Sequence, residues 1–280
     1  MSALSLAYAA LFYAATAIFV IGVGLKIRSY ASTPAPLLIV LHGYALEAKV
    51  QSLYFGLDAV TDPRGILYVA PEGTKNAEGK TFWNATAACC APPESDVDDS
   101  AYVAAVIAAV RKDYAVDDRR IFVLGHSNGG FMAYRLACDH ADLIAGIVSL
   151  EGAMNEDSAA CDPSEPVSAV AIHGTADTVI RYDGGRNDDA DPNSPGYPSA
   201  AQSVLEWARF NGCDDTAAPG EPPSRDLEKA MPAATVTAYS GCRAGTAVEL
   251  WTQPNGEHVP ELSDSFTAQV IDVFLAHPKR

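Results

Sequence analysis

Residues 121–131 read Ile-Phe-Val-Leu-Gly-His-Ser-Asn-Gly-Gly-Phe, a short apolar run followed by a serine between glycines. The pattern Gly125-His126-Ser127-Asn128-Gly129 is G-x-S-x-G, in which the serine sits on a sharp strand-to-helix turn that the glycines allow to close. Residues 121–124 are typical of a buried strand, and residues 131–138 are typical of an apolar helix. Ser127 is therefore the candidate nucleophile, at the junction that the pattern requires.

Apolar runs of strand length recur along the chain and alternate with segments of helical periodicity. Further strands are predicted at residues 37–41, 66–70, 144–150, 167–172, 235–239 and 248–252. Further helices are predicted around 46–60 and at 98–114, 201–211 and 263–276. This alternation predicts an α/β fold with a doubly wound, mostly parallel sheet covered by helices on both faces, and functional groups gather at the carboxyl ends of such strands.

Two strand ends supply the partners that a serine nucleophile needs. A serine hydroxyl requires a base within hydrogen-bond reach, and a carboxylate must orient that base. Asp177 follows the strand at 167–172, and His258 follows the strand at 248–252, which gives the chain order Ser, Asp, His. Asp183 is the alternative acid. His173 is the alternative base, although a structural hydrogen bond is the more usual role at a strand terminus.

An oxyanion hole requires two backbone N–H groups aimed at the oxygen that becomes negative. Asn128, directly after the nucleophile, is predicted to supply one. Tyr44, in the His42-Gly43-Tyr44 turn after the first core strand, is predicted to supply the other. Because the main chain donates, side-chain changes at Tyr44 and Asn128 should cost less than loss of a donor. His42 and His126 are expected to shape these turns.

The composition limits the classes of partner and the compartment. With 35 acidic and 19 basic residues among 280, the net charge of −16 disfavours nucleic acid and anionic membrane surfaces. The length suits one catalytic domain, predicted at 31–280. Residues 1–30 contain an uncharged run at 3–25 that is typical of a membrane anchor or an export signal. Six cysteines without a metal-type C-x-x-C pair favour disulfides and an extracytoplasmic location; the oligomeric state is left open.

Several motifs together resemble a known family from about residue 34 to the C-terminus. They are Leu41-His42-Gly43-Tyr44, Pro71-Glu72-Gly73, Phe82-Trp83-Asn84, Cys89-Cys90, Gly125-His126-Ser127-Asn128-Gly129-Gly130-Phe131-Met132-Ala133, His173-Gly174-Thr175-Ala176-Asp177 and Asn211-Gly212-Cys213. This set resembles the α/β-hydrolase esterases of the polyhydroxybutyrate depolymerase and feruloyl esterase family. The resemblance implies the α/β-hydrolase fold and an acyl-enzyme on Ser127, without a metal or organic cofactor.

The same resemblance implies a small-molecule or polymeric ester substrate, either a hydroxycinnamoyl (feruloyl-type) ester or a poly(3-hydroxyalkanoate)-type polyester. Trp83, Tyr182 and His126 are the expected substrate contacts, since aromatic faces suit such chains. Trp83 and Tyr182 could instead pack under their loops. Two other classes stay open: a serine peptidase, because the same triad attacks amides, and a non-catalytic, membrane-tethered binding module.

The cysteines are paired by their positions along the chain. Cys213 with Cys242 and Cys138 with Cys161 would each join neighbouring elements. Cys89 and Cys90 then form a vicinal disulfide or remain two free thiols, although six cysteines permit 15 connectivities.

Overall fold

The computed structural model describes residues 33–186 and 190–280. The predicted N-terminal segment 1–30, including the apolar run at 3–25, lies outside the described residues. In the described part of the chain, none of the helices is long and apolar enough to cross a bilayer.

Twelve strands and six α-helices make up the regular structure of the described ranges. The strands are β1 Ala35–Leu41, β2 Leu67–Val69, β3 Thr74–Lys75, β4 Thr81–Phe82, β5 Val116–His126, β6 Gly146–Leu150, β7 Ser168–Gly174, β8 Gly185–Arg186, β9 Gly196–Tyr197, β10 Ala217–Arg225, β11 Ala234–Tyr239 and β12 Val248–Gln253. The helices are α1 Ala48–Tyr54, α2 Leu57–Arg64, α3 Asp99–Asp113, α4 Asn128–Asp139, α5 Ala200–Phe210 and α6 Phe266–Ala276. Two short 3₁₀ turns lie at Ser158–Ala160 and Arg243–Gly245.

Eight strands form the central sheet in the order β10-β11-β12-β7-β6-β5-β1-β2. The pairs from β12 to β2 are parallel, and β10 and β11 add an antiparallel edge. The chain leaves β1 toward β2 on one side and returns to β5 on the other, so the strand order reverses between β1 and β5. Ligands bind at such a switch point, and both Tyr44 and Ser127 follow these two strands.

The sheet separates two apolar layers, and β1 shows how the sequence divides them. Leu37, Ile39 and Leu41 pack into the layer that α3, α4 and α5 cover. Leu38 and Val40 face the other layer, which holds residues of α1, α2 and α6. Because successive side chains of a strand point to opposite faces, a run that is apolar at every position belongs in a sheet covered on both sides.

Helix α3 illustrates how local sequence determines an element. The side chain of Asp98 accepts a hydrogen bond of 3.0 Å from the N–H of Ala101 and caps the first turn. Its buried apolar side chains recur at helical spacing, namely Val103, Val106, Ile107 and Val110. The predicted helix at 98–114 is therefore observed to within a residue at each end.

The α/β-hydrolase fold predicted from the sequence is confirmed, with a mostly parallel sheet between two helical layers. The predicted helical region at 46–60 is two helices, because Gly56 takes a left-handed conformation at φ +58° between α1 and α2. Strand β10 was not predicted, since its three prolines argue against a strand.

Candidate active site

Ser127 occupies a tight turn between β5 and α4. Its backbone lies at φ +53° and ψ −120°, and its N–H donates to the carbonyl of Leu150 across 2.8 Å. The flanking positions require glycine because other backbone atoms approach them closely. A Cβ on Gly125 would lie 2.0 Å from the carbonyl oxygen of Gly129, and one on Gly129 would lie 2.3 Å from that of Leu41. The turn therefore presents Ser127 at the carboxyl edge of the sheet.

The three predicted side chains of the triad meet at this edge. Nε2 of His258 lies 2.9 Å from Oγ of Ser127, and Nδ1 of His258 lies 2.7 Å from Oδ2 of Asp177. Nδ1–H donating to Asp177 leaves Nε2 free to accept the serine proton, which is the tautomer that a general base needs. The structure thus brings Ser127, Asp177 and His258 into one continuous hydrogen-bonded chain.

Asp177 is held as a carboxylate by its donors. Its Oδ1 accepts the N–H groups of Val179 and Ile180 at 2.7 and 2.9 Å, while Oδ2 faces His258. Burial opposes ionisation, but hydrogen bonds from His173, His258 and the backbone outweigh it and hold the pKa of Asp177 well below its usual range. The side chain therefore carries a negative charge toward His258.

The loops that carry Asp177 and His258 are bonded directly to each other. The N–H of Thr175 donates to the carbonyl of Gln253 across 3.0 Å, and the N–H of Ala176 donates to that of Gly256 across 2.9 Å. The N–H of Asn255 donates to Oγ1 of Thr175, also across 2.9 Å. These bonds fix the base relative to the acid through the main chain.

Two backbone N–H groups beside Ser127 are available to an oxyanion. Among the described residues, the N–H groups of Tyr44 and Asn128 have no protein acceptor. The neighbours of Tyr44 are both occupied: Gly43 donates to Oε1 of Gln51 at 3.2 Å and Ala45 to the carbonyl of Thr81 at 2.8 Å. Asn128 begins α4, where the helix dipole also favours negative charge. The oxyanion assignment stays a prediction that this geometry suits.

His42 holds the Tyr44 turn against the next loop. Its Nδ1–H donates to the carbonyl of Gly43 at 2.8 Å, and its Nε2 accepts the N–H of Gly73 at 2.9 Å. Burial lowers the pKa of His42 to about 4, so the ring is neutral and can accept at Nε2. The predicted role of His42 in shaping a turn agrees with these contacts.

The expectation that Trp83 contacts substrate is corrected by its burial. The side chain is 0% exposed, and its Nε1–H donates to the carbonyl of His42 across 2.9 Å. Its backbone N–H and C=O both bond to the side-chain amide of Asn128, at 2.7 and 2.9 Å. Trp83 therefore packs beneath the site, and the Asn128 side chain is a buried support of that loop.

His126 is likewise placed behind the triad rather than on the substrate side. Its ring is buried, and its Nε2–H donates to the backbone carbonyl of His258 across 2.9 Å. Its expected role as a substrate contact is corrected for this reason. Tyr182 is half-buried, with its hydroxyl 2.9 Å from Oγ1 of Thr252, and a role in substrate binding stays a prediction.

The alternative base and acid are not placed for those roles. Nε2–H of His173 donates to the carbonyl of Ile180 across 2.7 Å, which is the structural bond expected at a strand terminus. The hydrogen bonds to His258 come from Asp177, and no bond joins Asp183 to His258 among the described residues. The cysteines pair as Cys89–Cys90, Cys138–Cys161 and Cys213–Cys242, with Cα separations of 3.0, 5.3 and 3.8 Å.

One group of residues has the composition of a metal site. Ligand atoms of Glu151, His173 and Asp177 lie within 4.8 Å of one another. Two of these atoms already make hydrogen bonds within the protein, because Nε2 of His173 donates to Ile180 and Oδ2 of Asp177 accepts from His258. A cavity of about 210 Å³ lies elsewhere, lined by Ala145, Glu165 and Thr246 among others, at the amino ends of β6, β7 and β12.

Two acidic residues near the triad are not indicated by any motif in the sequence. Glu151 directly follows β6 and is 1% exposed, and Glu228 is buried behind the His258 loop, beside Gly256. Burial and the nearby charge of Glu257 raise the pKa of Glu228 to about 7. Glu151 could have been noticed, since it follows a predicted strand at the edge where functional groups gather.

Comparison with known proteins agrees with this geometry. The model of the phospholipase/carboxylesterase family matches residues 24–189, so the chain belongs to this family. A putative esterase, NocK, from Nocardia uniformis subsp. tsuyamanensis is 31% identical over 74% of this chain and 58% of its own length. Feruloyl esterase B from Piromyces equi is 28% identical over 69% of this chain and 34% of its own length. The chain thus spans less than two thirds of either relative.

The solved structures show the fold. An acetyl xylan esterase from Aspergillus awamori superimposes with a TM-score of 0.58 at 14% identity, over 88% of this chain and 90% of that one. Esterase PE8 gives a TM-score of 0.55 at 12% identity, over 88% and 96%. Both likenesses are to esterases of this architecture.

Proposed function

We propose that this protein hydrolyses carboxylic esters, with Ser127 as nucleophile, His258 as general base and Asp177 as the orienting acid. The observation that carries the proposal is the continuous pair of hydrogen bonds, 2.9 Å from Ser127 to His258 and 2.7 Å from His258 to Asp177. Membership of the phospholipase/carboxylesterase family supports the same reaction class.

In this mechanism Oγ of Ser127 attacks the ester carbonyl while its proton passes to Nε2 of His258. The carbonyl oxygen becomes negative and accepts hydrogen bonds from the N–H groups of Tyr44 and Asn128. Collapse of the tetrahedral intermediate breaks the ester bond, and His258 gives its proton to the leaving alcohol. Water, deprotonated by His258, then attacks the acyl-enzyme and releases the acid.

For the substrate we propose a hydroxycinnamoyl (feruloyl-type) ester. The names of the relatives from Piromyces equi and Neurospora crassa, both feruloyl esterases, support this class. Tyr44, Val179 and Val259 are large, exposed side chains within two residues of the oxyanion, acid and base positions, and as an apolar rim they would suit an apolar acyl group. A poly(3-hydroxyalkanoate)-type polyester is the alternative that the same apolar rim suits.

We further propose that the catalytic domain, 31–280, works outside the cytoplasm. Three disulfides are expected only where the environment is oxidising, as it is in secreted and periplasmic proteins. Growth of cells that express the full chain, followed by fractionation and thiol labelling of the native protein, tests this location. Free thiols on protein isolated from the cytoplasm would contradict it.

The activity is tested with Ser127→Ala and the matched control Ser164→Ala, which changes an exposed serine outside the triad. We expect Ser127→Ala to lower kcat on a p-nitrophenyl ester by about 10⁶-fold while the fold is retained, and the control to be unaffected. Unchanged hydrolysis by Ser127→Ala, or failure of a fluorophosphonate probe to label Ser127, would reject the mechanism.

A substrate panel then separates the finer alternatives. Release of ferulate from methyl ferulate without clearing of polymer films would support the hydroxycinnamoyl class, and the reverse result would support a polyester. Peptide cleavage with negligible ester hydrolysis would instead assign the protein as a serine peptidase.

A further inference from the structure

Glu151 occupies a second turn that resembles the one at Ser127. Both residues are non-glycine and lie at φ +53°, directly after neighbouring parallel strands. The N–H of Glu151 donates to the carbonyl of Ile172 across 2.9 Å, as the N–H of Ser127 donates to that of Leu150. Such a conformation is strained for a residue with a side chain and is found where the surrounding structure fixes a functional group.

The Glu151 carboxyl lies behind the acid of the triad. Its two oxygens accept the N–H of Gly174 at 3.0 and 3.1 Å, and Oε2 lies 3.3 Å from Nε2 of His173. An oxygen of Asp177 lies within 4.8 Å of an oxygen of the same carboxyl. Both carboxyl groups are buried, with side-chain exposures of 1% and 0%. Two carboxyl groups this close and this dry cannot both be ionised without a cation between them.

His173 does not supply that cation. Its Nε2–H donates to the carbonyl of Ile180 across 2.7 Å, while its buried Nδ1 has no hydrogen-bond partner among the described residues. A proton on Nδ1 would therefore be buried without an acceptor, which is unfavourable. The two carboxyl groups must share one proton between them.

The donors around each carboxyl decide which of them keeps that proton. Asp177 accepts the N–H groups of Val179 and Ile180 together with Nδ1–H of His258, and Nε2 of His173 lies 3.5 Å from its Oδ2; these donors stabilise a carboxylate. Glu151 accepts a single backbone N–H, from Gly174. The proton therefore resides on Glu151, beside the Asp177 carboxylate.

We propose that Glu151 is a positioning residue: a neutral carboxylic acid that donates its O–H to Asp177 and holds this carboxylate in line with His258. The inference builds on the proposed function, because Asp177 matters to catalysis only if His258 is the base. The Glu151 O–H gives Asp177 a further donor without adding a charge. Burial and the Asp177 carboxylate raise the pKa of Glu151 well above its usual range, which agrees with this role.

The titratable groups that face Glu151 come from four parts of the fold. They are His173 in β7, Asp177 in the loop after β7, Glu228 before β11, and Tyr54 of α1. Glu228 is itself beside Glu257. The charges of Asp177 and Glu228 disfavour ionisation of Glu151, and Tyr54 supplies no positive charge.

Two variants separate a neutral donor from an ionised carboxylate. Glu151→Gln keeps the shape, one acceptor for the N–H of Gly174 and one donor for Asp177, so we expect kcat close to that of the wild type. Glu151→Ala removes the donor, and we expect kcat to fall about tenfold, the rate equivalent of one lost hydrogen bond to a charged group. The wild type should lose activity at high pH, where Glu151 ionises. Glu151→Gln should not show this loss. If Glu151→Gln loses as much activity as Glu151→Ala, with both folded, Glu151 acts as a carboxylate and the proposal fails.

Infrared spectroscopy tests the proton without any reaction. The difference spectrum of the wild type and Glu151→Gln at neutral pH should contain the C=O stretch of a protonated carboxylic acid. The control Glu94→Gln, at an exposed glutamate, should show only the loss of carboxylate bands. Carboxylate bands in the Glu151→Gln difference would overturn the proposal. Because the same spectra can be recorded in a Ser127→Ala background, this result is independent of whether the protein hydrolyses esters.

Discussion

Nε2–H of His126 donates a hydrogen bond to the backbone carbonyl of His258 across 2.9 Å. The residue before the candidate nucleophile therefore holds the loop that carries the candidate base. Burial lowers the pKa of His126 to about 4, so the ring stays neutral and keeps this proton at neutral pH. The ring also packs against Tyr54, with centroids 5.6 Å apart, and the Tyr54 hydroxyl donates to the carbonyl of Pro260 across 2.7 Å. Two side chains thus fix the His258 loop from below.

Replacement of His126 by phenylalanine tests this support. The ring volume remains, but the His258 carbonyl loses its donor, which costs about 1–3 kcal/mol for a buried, unsatisfied group. We expect a lower melting temperature and a lower kcat, with little change in KM, because the base is displaced while the substrate surface is kept. His140→Phe, at the end of α4, is the control. Equal kinetics for wild type and His126→Phe would argue that the loop is held by other contacts.

Asp177→Asn tests the acid of the triad. Asparagine presents an N–H₂ or a carbonyl to Nδ1 of His258 and no longer favours the tautomer in which Nε2 accepts the serine proton. We expect kcat to fall by about 10⁴-fold with the fold retained. Asp183→Asn, at the alternative acid, should leave kcat unchanged; a larger loss there than at Asp177 would reverse the assignment. Steady-state kinetics on a p-nitrophenyl ester measure both.

Gly129→Ala tests the close approach at the nucleophile turn. The added methyl would lie 2.3 Å from the carbonyl oxygen of Leu41, so β1 and α4 must separate. We expect little folded protein, or a core opened enough to lower the melting temperature markedly. The control Gly56→Ala meets no atom within 4 Å and carries only the cost of φ +58°, about 1–2 kcal/mol. A folded Gly129→Ala as stable as Gly56→Ala would contradict the packing.

Glu228 predicts a pH dependence of stability. Its pKa is raised from 4.5 to about 7, so the folded protein binds this proton more tightly than the unfolded chain does. The stabilisation is fully present below the unfolded pKa and is lost as the pH rises through the folded one. We expect the free energy of unfolding of Glu228→Gln to fall less than that of the wild type between about pH 5 and about pH 8. Denaturant titrations at the two pH values measure this difference. An equal fall in the free energy of unfolding of both proteins would contradict the prediction.

Much of the fold follows from the sequence because the parallel strands are apolar at every position and the helices have apolar periodicity. Most core strands were therefore predicted within two residues of their observed bounds, whereas β5 begins five residues before the predicted strand at 121–124. The rule that functional groups follow parallel strands also selected Ser127, Asp177 and His258, which the structure brings together. Their catalytic roles stay predictions until the variants are measured.

Other features depend on contacts between distant segments, which local pattern does not contain. The sequence left open whether Trp83 contacts substrate or packs under its loop. Its ring is buried, and its backbone pairs with the Asn128 amide, 45 positions away. The Glu151 carboxyl meets Asp177 only because β6 and β7 are neighbours. A carboxyl that stays neutral has no signature in the sequence, since its protonation depends on how many donors surround the other carboxyl.

The two outer strands of the central sheet are poorly suited to pair with strands of other molecules. Strand β10 contains Pro219, Pro222 and Pro223, which have no N–H to offer, and its pairing with β11 is interrupted between Pro219 and Ser224. At the opposite edge β2 is only three residues long. Exposed strand edges are templates for aggregation, and short or proline-rich edges suppress it. The central sheet is thereby protected against lengthening into an intermolecular β-structure at either end.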